Sequence, residues 1–472
     1  MFDPVIAPSG TLLGLLQRGR GDGTLHALAA PRAEALAALN HCVLSDPRHD
    51  WQVENRSLYY ARLYLDLHGS LEEIERHLCD ADDHLDTDET RTGLALAVLG
   101  HLASYGRGDA LALLRRYAAN GANWAWALDE LALRDDDAGL RSLAAPVLAR
   151  FPATPEGDAE LAVAVRDAFE PRPWRLWAED RREFIGGRVR AAQEAGSFDR
   201  WQRQMRPSGP RPGWSVQAVL DWADQGLARG SALHVPAARC LSAVAGPEDR
   251  PEIVRAAHGG SDGARCAALH YLAQNRDPVV LDLIEAAVAS GSATVAEAAI
   301  SAFERMCGDE AVDRARGWIH RPDALGASAA GVLACRGVAK DAPLVLGALR
   351  ETVRADGPDA PLLWTLVDGT GRLGIACAAP VLRHVYRETT SSHLRGRAAR
   401  ALAATDPSFA TGFAVECLWD CEETTREVAA RHAETGDVRV AERLRRLAAD
   451  PAEEAEVQTA VRSRIGPDMP AV

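Results

Sequence analysis

Residues Arg397 to Arg431 read RAARALAATDPSFATGFAVECLWDCEETTREVAAR. The first six residues place alanine and leucine at helical spacing between arginines, and Thr405-Asp406-Pro407 interrupts them. A second apolar segment follows, after which Arg426-Glu427-Val428-Ala429-Ala430 repeats the opening pattern. Because apolar residues with this period indicate amphipathic helices, the stretch predicts a helix, a turn, a second helix and the start of another pair.

The same pattern recurs from about Gly230 to Asp450. The midpoints of successive first helices are separated by 30, 31, 31, 36, 33 and 30 residues. These midpoints are Ala238, Ala268, Ala299, Ala330, Leu366, Ala399 and Ala429. Seven units of nearly constant length are typical of a repeat protein in which each unit packs on its neighbours.

An aspartate follows most midpoints within 7 to 11 residues. These residues are Asp249, Asp277, Asp309, Asp341, Asp406 and Asp437. Asp277-Pro278 and Asp406-Pro407 predict an N-cap before a first-turn proline, where the second helix of the pair begins. In the Leu366 unit, we expect the glycines of Gly369 to Gly374 to form the turn instead.

Two segments carry a resemblance to a known family. Arg397 to Leu402 and Gly371-Arg372-Leu373-Gly374, followed by Ala378 to Leu382, resemble HEAT repeats, particularly the short bacterial form. The resemblance covers residues 230–450 well and the N-terminal third in outline. It implies an all-α fold, an α-solenoid of antiparallel helix pairs stacked into a curved superhelix, whose concave surface is available for binding.

The chain divides into four predicted segments. Irregular helical hairpins occupy residues 1–152, an Arg- and Trp-rich junction or insertion 153–230, regular repeats 231–450, and a cap and tail 451–472. Prolines from Pro152 onward interrupt the periodicity of the junction, and a proline is not tolerated in a helix interior. The predicted helices before the regular repeats are 33–44, 58–67, 94–103, 110–118, 124–133, 140–150, 179–195 and 215–228.

Composition limits the classes of function. Hydrophobic residues make up 47% of the chain and aromatic residues 6%, which favours closely packed helices of Ala, Leu and Val. The net charge of -14 argues against a protein that coats nucleic acid or an anionic membrane. Lys340 is the one lysine, and we attribute the arginine excess to genome base composition. Nine scattered cysteines and the lack of a long apolar run predict a soluble, cytoplasmic protein.

Two groups of residues are candidates for partner binding. Five of the eleven tryptophans fall between Arg166 and Trp222, interleaved with arginines that suit bases, phosphates or peptides. The first group is Trp174, Trp177, Arg181, Arg182, Trp201, Arg203, Arg206 and Trp214. The second is Trp51, Arg56 and Tyr60, near the start of one helix. A structural interpretation stays open, in which the aromatic residues fill an irregular junction and pack between helices.

Other motifs are incomplete. Gly369 to Gly374 matches the dinucleotide pattern G-x-G-x-x-G but lies in a helical repeat without a preceding strand. The acidic run from His77 to Asp88 lacks the glycine of a calcium loop, and Cys417 with Cys421 provides two metal ligands rather than four. The absence of a His-Glu dipeptide excludes the HEAT-like metal hydroxylases. A phycobilin lyase stays open, although nothing identifies a chromophore site.

We therefore expect a non-enzymatic scaffold that binds a protein or peptide on the concave surface, without cofactor, metal or catalytic residues. Enzymatic activity is not settled by the sequence. The alternative is nucleic-acid binding or DNA repair through the Arg/Trp patch. HEAT-like DNA glycosylases use tryptophan and an acid near the damaged base, and Trp124, Trp126, Asp129 and Glu130 could play those parts.

Overall fold

The computed structural model describes residues 6–47, 54–80, 91–195 and 213–465. These residues form helices joined by turns, and no β-strand occurs among them. The prediction of an all-α fold is confirmed for this part of the chain. Each of the seven repeat midpoints also lies within a helix.

The helices of the N-terminal half are α1 (Leu12–Gln17), α2 (Gly21–Ala29), α3 (Arg32–Leu44), α4 (Arg56–Asp66), α5 (Glu72–Leu78), α6 (Gly93–Ser104), α7 (Gly108–Asn120), α8 (Trp124–Arg134), α9 (Asp137–Ser142), α10 (Ala144–Leu148), α11 (Pro155–Asp167), α12 (Arg172–Ala178) and α13 (188–195), which continues a π-helical turn at Glu183–Gly187.

The remaining helices are α14 (Val216–Ala228), α15 (His234–Val244), α16 (Arg250–Gly259), α17 (Asp262–Gln274), α18 (Val279–Val288), α19 (Ala293–Arg305), α20 (Asp309–Trp318), α21 (Ala324–Arg336), α22 (Ala342–Asp356), α23 (Leu363–Arg372), α24 (Ala379–Glu388), α25 (Ser392–Thr405), α26 (Phe413–Cys417), α27 (Glu423–His432), α28 (Val438–Ala449) and α29 (Ala455–Ile465).

Short polar side chains start several of these helices. Thr154 Oγ1 accepts a hydrogen bond from the Gly157 N–H at 3.2 Å, and Pro155 takes the first position of α11. Asp136 accepts from the Gly139 N–H at 2.6 Å, and Asp277 from the Val279 N–H at 3.1 Å. Such bonds satisfy backbone donors that have no partner within the helix. The predicted position of Asp277 is shifted by one residue, because α18 begins at Val279, Pro278 occupies its N-cap position and Asp277 precedes it.

Three predicted elements differ from the structure. The single helix expected at 140–150 is two helices, because Pro146 has no N–H and its ring would clash with the Ser142 carbonyl of a continuous helix. The helix expected at 179–195 begins only at Glu183. The Asp180 carboxylate accepts from the Arg182 N–H at 2.8 Å and fixes a turn before it. Asp406 starts no helix, since α26 begins at Phe413.

The glycine-rich turn expected at residues 369–374 also differs. Gly369 and Gly371 lie in the last turn of α23, and only Gly374, with a φ of 62°, lies in the turn that follows. A Cβ on Gly369 would come within 2.6 Å of the Ala334 Cα in α21. The glycines of this motif therefore allow two helices to approach closely, and they are not a dinucleotide loop.

The chain folds into two compact units. Unit 1 comprises residues 1–206, 387–399 and 407–472, and unit 2 comprises residues 207–386 and 400–406. Within unit 2, α17, α19, α21 and α23 pack in succession, and each also contacts the helix before it. The four sequence segments expected above stay a prediction, because each unit groups residues that are close in space rather than in chain order.

Helices from the N-terminal and the C-terminal parts of the chain pack together in unit 1. The α2 helix packs against α26, and the Cys421 N–H donates to the Gly19 carbonyl at 2.9 Å. Gly19 adopts a φ of 67°, in the left-handed region that favours glycine. A Cβ on Gly21 would lie 1.8 Å from the Glu416 carbonyl oxygen, so this contact requires glycine.

Buried ion pairs lie in the C-terminal segment of unit 1, and one of them reaches the N-terminal segment. The Arg395 guanidinium donates to both oxygens of Asp420 at 2.7 and 3.0 Å, and both side chains are fully buried. Arg426 pairs with Glu453 at 2.6 Å, and Glu453 also accepts from Arg62 at 3.1 Å. Removing one partner of such a pair leaves a buried charge uncompensated. The first two pairs stabilise the C-terminal segment of unit 1, and the Arg62–Glu453 pair joins this segment to α4 of the N-terminal segment.

Candidate functional site

The predicted partner-binding residues differ in their exposure, and some of them lie outside the described residues. Trp201, Arg203, Arg206 and Trp51 lie outside the described residues. Arg181 and Arg182 are exposed, and Arg182 pairs with Asp180 at 2.7 Å. Trp214 is half-buried, with its ring 6.0 Å from that of Trp222. Trp174 and Trp177 are buried in unit 1, where Arg181 and Arg182 are exposed, and Trp214 belongs to unit 2.

Three other predicted residues are buried. The Trp177 indole is fully buried and donates to the Leu140 carbonyl at 2.8 Å. The Tyr60 hydroxyl donates to the Leu16 carbonyl at 3.1 Å, and Arg56 is ion-paired with Glu54. In this packing their side chains stabilise the core of unit 1, so we do not include them in the candidate site. Among the described members of the predicted set, Trp174 is the residue that lines the cleft described next.

A cavity in unit 1 has a volume of about 830 Å³. We call it the Trp cleft. It is lined by residues of α4, α6, α8, α11, α12, α27 and the connection before α29. These elements come from both the N-terminal and the C-terminal segments of unit 1. Its aromatic residues are Trp124, Trp126, Phe169 and Trp174, and its acidic residues are Asp129, Glu130, Asp167, Glu423 and Glu454.

The aromatic wall of the Trp cleft is held by edge-to-face packing. The Trp124 ring lies 6.3 Å from Trp174, which in turn lies 4.9 Å from the buried Trp177. Phe151 packs on Trp124 at 5.8 Å, and the Arg150 guanidinium lies over the same ring at 5.7 Å. The hydrogen bond of Trp177 fixes the innermost ring of this cluster, and the rings of Trp124 and Trp174 pack outward from it to the cavity.

One aromatic residue of the Trp cleft is exposed to solvent. Phe169 follows α11 and is 81% exposed. The Glu170 N–H donates to the Asp129 carboxylate at 3.1 Å, which fixes the chain beside it against α8. A large exposed apolar ring held at the mouth of a cavity is a common feature of binding sites.

Glu130 is an acid of the Trp cleft whose pKa is strongly shifted. Burial raises its pKa to about 7, while the charge of Arg134 and a hydrogen bond from Trp126 oppose the shift. Arg134 Nη1 lies 2.7 Å from Glu130 Oε2 as an ion pair. A Cβ on Gly100 would lie 2.0 Å from the same oxygen, so the absence of a side chain there makes room for the carboxyl group.

Two other titratable groups of the Trp cleft, Glu423 and His101, have shifted pKa values. Burial, followed by the charge of Glu422, raises the pKa of Glu423. Burial and the charges of Arg134 and Arg62 lower the pKa of His101 to about 4, so this imidazole is neutral near pH 7. None of the described residues that line the cleft is arginine or lysine. The cleft therefore suits a cation, which aromatic faces and carboxylates both attract.

Sequence reasoning found part of this site. Trp124, Trp126, Asp129 and Glu130, noted for their likeness to a glycosylase, do line one cavity. Asp167 and Phe169 were missed, although the i, i+2 pair of an acid and an aromatic residue at a helix end was a usable signal. Glu423 and Glu454 come from the far end of the chain, and no local pattern connects them to α8.

No model of a known protein family matches the sequence, and no curated protein matches it either. Of the helices in the described ranges, none combines the length and apolar character needed to cross a bilayer. Within the same ranges, no cluster of three or more His, Cys, Asp or Glu side chains has the geometry of a metal site. The fold and the Trp cleft define an all-helical protein with an acidic, aromatic cavity.

Proposed function

We propose that this protein binds a partner protein or peptide through a cationic side chain that enters the Trp cleft. The observation that carries the proposal is the joint presence of four aromatic rings and five acidic residues around one cavity of about 830 Å³. A lysine or arginine side chain offers an apolar stem for the rings and a charge for the carboxylates. A protein partner of this kind agrees with the scaffold function expected from the sequence.

The same proposal includes an α-solenoid of HEAT-like repeats. It is supported by the succession of α17, α19, α21 and α23, each packed on the helix before it, and by the regular spacing of the repeat midpoints. Repeat proteins of this architecture expose extended surfaces for partners. The acidic charge of the chain favours a basic partner surface.

A labelled decapeptide rich in arginine and lysine tests the proposal by fluorescence anisotropy with the full chain. We expect Phe169→Ala combined with Glu454→Gln to weaken binding about tenfold, which corresponds to one cation–π contact and one charge. Phe184→Ala combined with Glu160→Gln is the matched control, because both residues are exposed and lie outside the cleft. We expect that control to bind within about twofold of the wild type.

Two results would contradict the proposal. One is equal binding of a matched peptide in which glutamate replaces the basic residues. The other is unchanged affinity of the cleft variant for the basic peptide. Tryptophan fluorescence gives a second readout, since Trp124, Trp126 and Trp174 all line the cleft and bound peptide should alter their emission.

A second candidate function is the release of a cationic alkylated base from DNA. It is favoured by one observation, the joint lining of the cleft by Trp124, Trp126, Asp129 and Glu130. It is disfavoured by the acidic lining, since DNA binding depends on arginine and lysine contacts to phosphate. Incubation with DNA that contains N-methylated purines decides between the two, because a glycosylase releases free base and Glu130→Gln should abolish that release.

A further inference from the structure

A second cavity, in unit 2, is lined by basic residues, whereas the Trp cleft is lined by acidic ones. It has a volume of about 280 Å³ and is lined by Arg239, His270, Arg276 and Arg305 among others. We call it the arginine pocket. Arg239 lies on α15, His270 on α17, and Arg305 is the last residue of α19. Three packed helices therefore direct basic side chains to one small cavity.

The three arginines of this pocket have no counter-charge among the residues that the structure describes. Within the described part of the chain, none of their side chains has an ion-pair or hydrogen-bond partner. The carboxylate next in sequence to Arg276 is Asp277, which pairs with Arg250 at 2.6 Å. This arrangement leaves a concentrated positive charge at the cavity.

A buried histidine completes the arginine pocket. His270 is 4% exposed, and its Nε2 atom is buried without a hydrogen-bond partner among the described residues. Its ring stacks on His234 with centroids 5.1 Å apart. Burial and the charges of His234 and Arg305 lower the pKa of His270 to about 4, so the imidazole is neutral near pH 7. An unpaired buried donor is costly unless a ligand binds it.

The backbone at Arg276 adds a further sign of a binding site. Arg276 follows the end of α17 with a φ of 56°, a left-handed conformation that glycine usually adopts at this position. A side chain held in this region costs stability, and such residues concentrate at ligand sites. Arg276 is nevertheless among the residues that line the cavity.

We propose that the arginine pocket binds a dianionic phosphate group. Guanidinium groups match phosphate oxygens through paired hydrogen bonds, and three of them suit a doubly charged group better than a single carboxylate. The neutral imidazole of His270 donates from Nε2 to a phosphate oxygen. The small volume admits the phosphate of a free anion or of a phosphorylated side chain. This proposal does not depend on the function proposed for the Trp cleft.

Calorimetric titration of the full chain with inorganic phosphate at low ionic strength tests the proposal. We expect Arg276→Ala combined with Arg305→Ala to weaken binding about tenfold or more, the loss expected for charge-assisted hydrogen bonds. Arg229→Ala combined with Arg255→Ala is the control. It removes the same charge from exposed positions of unit 2 outside the pocket, and we expect it to change the affinity less than about twofold.

A phosphoserine peptide and its unphosphorylated form distinguish the two sources of phosphate. Binding of inorganic phosphate that the pocket variant loses supports a small phosphate ligand. Binding confined to the phosphopeptide, and lost in the same variant, supports a modified partner. The proposal is overturned if neither probe binds, or if the control variant loses as much affinity as the pocket variant. Because the substituted arginines are exposed, circular dichroism should show both variants folded.

Discussion

Arginine side chains cap the ends of neighbouring helices in this molecule. Arg372 Nη2 donates to the Ala334 and Gly337 carbonyls at 2.8 Å each, and Arg464 Nη2 to the Ala433 carbonyl at 2.8 Å. These acceptors lie at helix C-termini, where carbonyl groups lack partners within the helix. The planar guanidinium carries five N–H donors in a fixed geometry, which suits it to bond two carbonyls of a neighbouring helix end at once. Some of the many arginines therefore have a structural use.

Glu130 should make the stability of the protein depend on pH. Its pKa is about 7 in the folded chain against an ordinary value of 4.5. Below pH 4.5 the carboxyl group is protonated in both states and adds no dependence. Between these values the unfolded chain has lost a proton that the folded chain keeps, so stability falls as pH rises through 7. The full loss is of order 3 kcal/mol.

The variant Glu130→Gln removes this loss. We expect it to be more stable than the wild type at pH 8 and nearly equal to it at pH 4.5, as measured by denaturant unfolding at both values. Glu160→Gln is the control, since Glu160 lies exposed on α11, and it should give the same difference from wild type at both pH values. A stability difference for Glu130→Gln that does not change with pH would contradict the burial of this carboxyl group.

At the scale of the helix, two glycines of α22 and α23 predict opposite effects of the same substitution. Gly369→Ala places a Cβ within 2.6 Å of the Ala334 Cα and should destabilise the protein by about 1–3 kcal/mol. Gly347 lies in the exposed interior of α22 with no atom within 4 Å of an added Cβ. Gly347→Ala should stabilise by about 0.5–1 kcal/mol. Thermal unfolding distinguishes them, and equal signs would show that helix propensity alone governs both sites.

The helices were largely predictable, and their ends less so. Periodicity located α3, α4, α6, α7 and α8 because each has a regular apolar face. It missed α11 and α12, because Pro155 and Pro173 interrupt the apolar pattern even though both occupy a first turn, where proline is tolerated. In the glycine motif, the spacing alone predicts a turn and does not reveal that another helix packs on Gly369.

At the scale of the whole molecule, contacts between residues far apart in sequence limited what could be predicted from the sequence. Arg56 was expected on a binding surface, yet it is fully buried and its guanidinium donates to the Thr390 carbonyl at 3.2 Å. The two residues are 334 positions apart. A local pattern cannot distinguish an exposed arginine from one buried by a distant segment. The residues of the Trp cleft were predicted only in part for the same reason, since Glu423 and Glu454 belong to the C-terminal part of unit 1.

Because the N-terminal and C-terminal helices of unit 1 are in contact, we expect a substitution in one of these segments to affect the stability of the other. Arg395→Met leaves the buried carboxylate of Asp420 without its partner and should cost about 3–5 kcal/mol. Because the Cys421 N–H donates to the Gly19 carbonyl, we expect faster hydrogen exchange in α1 to α3 as well as in α26 and α27. Arg395→Met combined with Asp420→Leu removes both charges and should recover much of the loss. Unchanged exchange in α1 to α3 of the single variant would show that the N-terminal helices are stable without this contact.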